Sequence, residues 1–200
     1  MSKIVVVNNV TLDGVMQAPG RPDEDTRGGF QYGGWALPYN DAVMGRAMGE
    51  GMATSGALLL GRRTYEDFYA VWPSRTDNPF TEVLNNAQKY VASTSLTEPL
   101  PWQNSTLLKG DIAEAVASLK RQPGADIVIL GSGELIQSLM RRNLIDEFVL
   151  LIHPLVLGSG RRLFADGGAF ATLRLAKTVT TTTGVVIATY QMAEPTTKEG

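Results

Sequence analysis

Apolar positions along this chain come in two rhythms: short unbroken runs, and stripes at helical spacing. Residues 3 to 8, KIVVVN, form a β-branched run that predicts a buried first strand. Gly14, Pro19 and Gly20 then break all regularity, and the stretch from Arg21 to Pro38 is polar, glycine-rich, aromatic and without a period. Such a segment predicts a long functional loop. From about Asn40 to Thr54 the stripe Val43, Met44, Ala47, Met48 and Met52 predicts a helix, with Asn40 or Asp41 as its cap. Gly45, Gly49 and Gly51 lower its intrinsic helicity.

Seven more strands and three helices follow. ALLLG predicts the second strand, RTYEDFYAVW a helix, KYVAST the third strand and Ser105 to Leu108 a short fourth. Asp111 to Gln122 shows the plainest helical pattern. Asp111 and Glu114 make a capping-box-like pair, Ile112, Ala115, Val116 and Leu119 form the apolar face, and Pro123–Gly124 ends it. DIVILGSGELIQSLMRRNL predicts strand, glycine turn and helix. DEFVLLIHPLVLG predicts a further strand, apolar on both faces and placed at the edge of the sheet. TVTTTTGVVIATYQM predicts a terminal hairpin broken at Gly184. There is no internal repeat and no linker, so residues 1 to 192 are expected to form one domain. The polar tail, 193 to 200, is expected to be disordered. Strands alternating with helices predict an α/β protein whose mostly parallel sheet is covered on both faces. Such sheets bind ligands in the turns at the carboxyl ends of their strands.

Composition narrows the chemistry. With 18 basic and 20 acidic residues the formal charge is −2, which offers no bulk attraction to nucleic acid or an anionic membrane. No cysteine is present, which excludes disulfides, thiolate nucleophiles and Cys-ligated metals. FVLLIHPLVLG is too short to span a bilayer, and the apolar part of MSKIVVVNN is too short for a signal peptide. A cytoplasmic location is the expectation. The single histidine, His153, lies within VLLIHPLVL, and no G-x-S-x-G elbow exists to serve it. His153 is expected to be structural, at a strand end, which makes hydrolytic mechanisms a poor fit.

Three turns carry the remaining chemistry. In LLLGRRTYE, a helix starting near Thr64 presents free N–H groups and a positive dipole end. Gly61 lets a ligand approach the backbone, Thr64 offers a hydroxyl, and Arg62 and Arg63 are forked cations suited to phosphate. YVAST ends its strand in three hydroxyls, Ser93, Thr94 and Ser95. VILGSGELIQ leads from strand to helix through Gly131, Ser132 and Gly133, a turn suited to a pyrophosphate. Together these turns predict a site for an extended, multiply phosphorylated ligand such as a dinucleotide. Arginine pairs also occur at solvated helix ends, but cations at a helix start oppose the dipole unless an anion is bound.

The ordered set V-N-N-V-T-L-D-G, G-R-R-T-Y-E, K-Y-V-A-S-T, L-G-S-G-E-L and D-E-F-V-L-L-I-H-P-L-V-L-G-S-G-R-R-L-F resembles the dihydrofolate reductase superfamily. More closely it resembles the branch related to the reductase domain of the bifunctional riboflavin-biosynthesis deaminase–reductase, over roughly residues 2 to 192. The resemblance implies a three-layer sandwich with a mostly parallel central sheet and a C-terminal antiparallel hairpin, NADPH as hydride donor, and a homodimer. It matches Gly61, Arg62, Arg63 and Thr64 to the turn holding the cofactor's phosphates, and Ser93 and Thr94 to the strand end beside the adenosine half. It matches Gly131, Ser132, Gly133, Glu134 and Leu135 to the pyrophosphate turn. Asp13 and Gly14 match an S/T-L-D-G element bordering nicotinamide and substrate.

Two positions depart from the folate enzymes. Their glycine turn is followed by a basic residue, where this chain has Glu134, so more of the phosphate binding falls to Arg62 and Arg63. Their W-x-L-P-x-D pattern places a helix acid, whereas Asp41 here is one position late after Trp35, Leu37 and Pro38. Asp13 is therefore the first expected catalytic residue and Asp41 the second, with Asp41 alternatively a helix-start acid. Arg161 and Arg162 follow Gly158–Ser159–Gly160, suited equally to a substrate phosphate or to covering a turn. The expected activity is NADPH-dependent reduction of a small heterocycle, with the loop from Asp13 to Pro38 as a lid. A dihydrofolate reductase and a non-catalytic NADPH-binding dimeric sensor are the alternatives.

Overall fold

The computed structural model describes residues 1 to 193. Eight strands form one sheet in the order β4-β3-β2-β5-β1-β6-β8-β7. They are β1 (Ile4–Thr11), β2 (Ser55–Gly61), β3 (Gln88–Ala92), β4 (Ser105–Leu108), β5 (Asp126–Leu130), β6 (Glu147–His153), β7 (Leu173–Thr180) and β8 (Val186–Met192). The first six are parallel to one another; β8 runs antiparallel to β6 and to β7. The helices are α1 (Ala42–Thr54), α2 (Arg62–Val71), α3 (Phe80–Asn86), α4 (Ile112–Arg121) and α5 (Gly133–Met140). This is the three-layer α/β sandwich with a terminal antiparallel hairpin that the sequence predicts.

Each central strand buries both faces, which is why its apolar run is unbroken rather than alternating. Ile4 and Val6 of β1 pack with Leu59, Ile129, Val116, Ile136 and Leu139 under α4 and α5. Val5 points the other way, into Leu58, Leu60, Tyr65, Leu84 and Trp102 under α2 and α3. Met44 of α1 packs on Leu151 and Ile187 on that same side. Helix α3 was not expected from the pattern; only Leu84 of its seven residues is buried.

The strand predicted through DEFVLLIHPLVLG stops at His153, because Pro154 has no N–H to continue the ladder. It is also not an edge strand. β1 flanks β6 on one side and β8 on the other, and the described edges are β4 and β7. Its doubly buried character reflects an interior position. Of the tail expected to be disordered, Ala193 still donates to Thr172 O at 2.9 Å; residues 194 to 200 lie outside the described residues. No described helix is long and apolar enough to cross a membrane.

Lys89 is wholly buried, yet its ammonium donates to the carbonyls of Asn85, Ala87 and Gln103 and lies 4.3 Å from the Trp102 ring centroid. Burial pushes its pKa down to about 8. His153 is equally buried at the end of β6. Its Nε2 meets Asn9 Oδ1 at 2.8 Å, and the edges of Trp35 and Tyr39 enclose the ring. Its Nδ1 is buried without a partner, so protonation would create an unpaired buried N–H. Burial accordingly lowers its pKa to about 4. Because the folded value lies below the unfolded one, the unfolded chain takes up a proton between about pH 6.5 and 4 that the folded chain refuses. Stability tied to His153 is therefore lost as the pH falls through that window, by up to roughly 3 kcal/mol. Urea unfolding at pH 7, 5.5 and 4 should show a steeper loss in the wild type than in His153→Gln; parallel pH profiles would contradict this.

Candidate functional site

The carboxyl ends of β1, β2, β3 and β5 open into one cleft of about 940 Å³. That is near the upper end of the ~300–1,000 Å³ usual for ligand sites and suits an extended molecule. All three turns singled out from the sequence line it, with every residue from Gly61 to Thr64, Ser93 and Thr94, and every residue from Gly131 to Leu135.

Two of these turns hold each other. Thr64 Oγ1 accepts from the Ser132 N–H at 3.0 Å. Ser132 Oγ accepts from the Gly61 N–H at 3.0 Å and donates to Leu130 O at 3.0 Å. Both Gly131 and Ser132 adopt left-handed backbone, with φ of 57° and 55°. Gly131 is required for a second reason: a Cβ there would sit 3.0 Å from Thr64 Oγ1. The Asn8 side chain donates to Gly131 O at 3.1 Å, which ties the glycine turn to the end of β1. Ser132 has thus spent its hydroxyl and its N–H inside the protein.

Helices α2 and α5 begin at these turns, and neither has a side-chain cap. Helices α1 and α4 begin away from the three turns, capped by Asp41 and Asp111. The first-turn N–H groups of α2 and α5 have no intrahelical acceptor, so the cleft receives two positive dipole ends. Arg62 bonds Glu66 at 2.9 Å, one turn along α2. Arg63, Arg161 and Arg27 all converge on Glu134 Oε1, at 3.9, 3.2 and 3.9 Å. One carboxylate faces three guanidinium groups, which leaves a local positive surplus. Ser93 Oγ accepts from the N–H groups of Ser95 and Leu96, so it shapes the β3 turn as well as lining the cleft.

The segment predicted as a functional loop lies over this cleft. Arg21 forks onto Asp67 of α2, and Arg27 onto Asp25 within the loop. Met16, Gln17, Ala18, Pro19, Asp23, Glu24 and Asp25 join the lining. The polar loop run gives no periodic signal for these contacts: Asp67 lies 46 residues from Arg21, and the local Arg27–Asp25 pair follows no helical or strand spacing. The asparagine pair at the end of the β1 run was the one local hint: Asn8 and Asn9 both line the cleft.

Asp13 lies at the end of β1, outside the lining. Its carboxylate accepts from the Thr11 hydroxyl and from the N–H groups of Leu157 and Gly158. The Thr11 bond leads in holding its pKa below the usual range, with the two backbone bonds adding to it. Its carbonyl accepts from Arg162 Nε at 2.9 Å. Met16 donates to Arg161 O, and Gln17 Oε1 accepts the Arg161 N–H. Gly160 allows this clasp, since a Cβ there would meet Phe30 at 2.7 Å. The Asp13 element therefore grips the turn that carries Arg161 and Arg162 into the cleft. Asp41 lies outside the lining too. It caps α1 through Met44 N–H and receives two bonds from Thr182, and the Met44 bond first among these keeps its pKa low.

The model of the RibD C-terminal domain matches residues 2–187. The uncharacterized protein YyaP of Bacillus subtilis (strain 168) is 34% identical over 139 residues, covering 66% of this chain and 72% of that one. Solved structures share the fold. A Shewanella sp. PV-4 protein provisionally named for riboflavin biosynthesis superposes with TM-score 0.70 at 23% identity, covering 96% of this chain and 99% of its own. A pyrimidine reductase-like protein from Corynebacterium diphtheriae gives 0.67 at 12%, covering 96% and 92%. Dihydrofolate reductase from Enterococcus faecalis, complexed with NADP(H), gives 0.60 at 14%, covering 96% and 97%. With the glycine turns, the arginines and the strand order all in place, the chain belongs to the RibD C-terminal domain family.

Proposed function

We propose that this protein is an NADPH-dependent reductase acting on a small heterocycle of the ribosylaminopyrimidine kind. The observation that carries the reading is the convergence of two uncapped helix starts and the Arg62–Arg63 pair on one cleft. Bound there, the cofactor supplies a hydride for an electron-poor C=N or C=O carbon. The free N–H groups of Gly133, Glu134 and Leu135 suit a pyrophosphate, as do the Thr64 hydroxyl and Arg63. Ser93 and Thr94 suit the adenosine end, and Arg62 and Arg63 suit a ribose 2′-phosphate. Asp13 serves by position: it holds the turn that aims Arg161 into the cleft. Asp41, occupied as a helix cap, is poorly placed to serve a pterin.

Charge-assisted bonds to a 2′-phosphate contribute about 1.5–3 kcal/mol each. The double variant Arg62→Ala/Arg63→Ala should bind NADPH at least tenfold more weakly, with NADH affinity nearly unchanged, by calorimetry or fluorescence titration. Equal losses for both would show that the pair does not read the 2′-phosphate.

Dihydrofolate is expected to be a poor substrate. Asp41 precedes α1 as its cap, and its carboxylate is already spent on Met44 and Thr182. Acid–base help is typically worth ~10²–10⁴-fold, so the deficit should be visible in the rate. Steady-state NADPH oxidation with dihydrofolate should give a kcat/KM below about 10⁴ M⁻¹s⁻¹. A higher value would restore the folate reading.

A homodimer remains part of the proposal, now through β7. That edge strand is mostly exposed, with Leu175 half-exposed and Phe170 almost fully so just before it. Unpaired edges of this kind invite a second chain. Light scattering at micromolar concentration should return twice the 21.6 kDa chain mass; a monomer mass would refute it.

A further inference from the structure

Six carboxylates line the cleft: Asp23, Glu24, Asp25, Glu66, Asp67 and Glu134. Five of them face a guanidinium. Asp25 is chelated by Arg27, Asp67 by Arg21, Glu66 bonds Arg62, Glu134 meets Arg161, and Asp23 lies 3.4 Å from Arg21 Nε. Each of the five is thus already engaged by a cation. Glu24 alone has no such partner among the described residues.

The bonding of Glu24 is one-sided. Its Oε2 accepts the N–H of Gly20 at 2.6 Å and that of Arg21 at 3.1 Å. Two donors already point at that oxygen, so a proton on the group belongs on Oε1, which has no partner among the described residues. No histidine lines the cleft, and neither does a tyrosine. We propose that Glu24 is the catalytic proton donor of the reduction, delivering its Oε1 proton to the substrate heteroatom. The proposal rests on the reductase reading given above.

The step balances simply. The dihydronicotinamide gives a hydride to the carbon of a C=N or C=O bond and is oxidised. The π bond breaks, and its electron pair takes the Glu24 proton to form N–H or O–H. The Glu24 carboxylate then recovers a proton from water. The surroundings favour a protonated group: burial is the largest influence and raises the Glu24 pKa, and the nearby Asp67 charge adds to it. The two backbone bonds and the Arg21 charge act against this. Asp67 comes from α2, while Arg21, and Asp23 beside it, belong to the same loop as Glu24.

Two measurements on the full chain test the assignment. The first needs no substrate: carbon-13 NMR of the glutamate carboxyls, with Glu24→Gln identifying the signal, in the presence and absence of NADP⁺. Glu24 should titrate above the ordinary ~4.3 of a free glutamate. A midpoint at or below that value overturns the proposal whatever the substrate proves to be. The second is the pH dependence of NADPH oxidation with a ribosylaminopyrimidine phosphate as probe. Activity should fall as the pH rises through the Glu24 midpoint. Glu24→Gln should lose about 10²–10⁴ in kcat together with that limb, and Glu24→Asp should restore part of it. NADPH affinity should stay within about twofold. A Glu24→Gln variant with wild-type kcat at every pH overturns the proposal. Should the wild type bind NADPH but leave the probe unreduced, the substrate reading fails, and the carboxyl titration decides Glu24 separately.

Discussion

The Ser132 peptide, in a left-handed conformation, is the joint on which the cleft depends. Through it, the turn after β5 and the turn after β2 are bonded to each other rather than to solvent. Neither turn has regular structure to hold it, and a loose loop makes a poor phosphate cradle. Crossing two hydroxyls between them fixes where α2 and α5 begin, and so where their dipole ends point. The left-handed backbone costs on the order of 1–3 kcal/mol at a non-glycine residue. It persists because three hydrogen bonds of Ser132 determine it from both sides.

Charge is arranged around that joint by opposition. Helices α1 and α4 receive aspartate caps, while α2 opens on the cleft with Arg62 and Arg63. Cations there oppose the dipole and gain only when a polyanion lies between them. Glu134 partly fills that role in the free protein, gathering Arg27, Arg63 and Arg161 around one oxygen. Its side chain is 77% exposed, so these contacts are weak and exchange readily. The Arg21–Asp67 fork, which ties the loop to α2, is likewise partly exposed. The loop is held more firmly by its own buried cluster of Val15, Ala18, Phe30 and Trp35 than by these pairs.

Asp13 and His153 show how polar groups at strand ends become architecture. Asp13 joins the end of β1 to the turn after β6, and that clasp delivers Arg161. His153 stays neutral, its one bonded nitrogen on Asn9 and its faces closed by Trp35 and Tyr39. In sequence, an Asp in T-L-D-G reads as chemistry as readily as support. The difference lies in which N–H groups surround it, and those come from residues more than 140 positions away.

The order of strands and helices was legible because period and punctuation are local properties. A strand buried on both faces shows an unbroken β-branched run, and a glycine turn before a helical stripe announces a helix start. The turns lining the cleft were legible for the same reason, since Gly61 to Thr64 and Gly131 to Leu135 are each contiguous. Strand neighbours were not legible: DEFVLLIH carries the same apolar signal at an edge or in the interior, and only its pairing with β1 and β8 decides. The loop over the cleft was legible as a loop, but the pairing of its charges was not, because Arg21, Arg27 and Glu24 sit in a stretch without a period. Around the cleft, burial and ion pairing alone separate five arginine-paired carboxylates from the one that stands apart. Local sequence determined which elements form and where the cleft-lining turns lie. Long-range packing, which sets the surroundings of every side chain, decided what each charged residue is free to do.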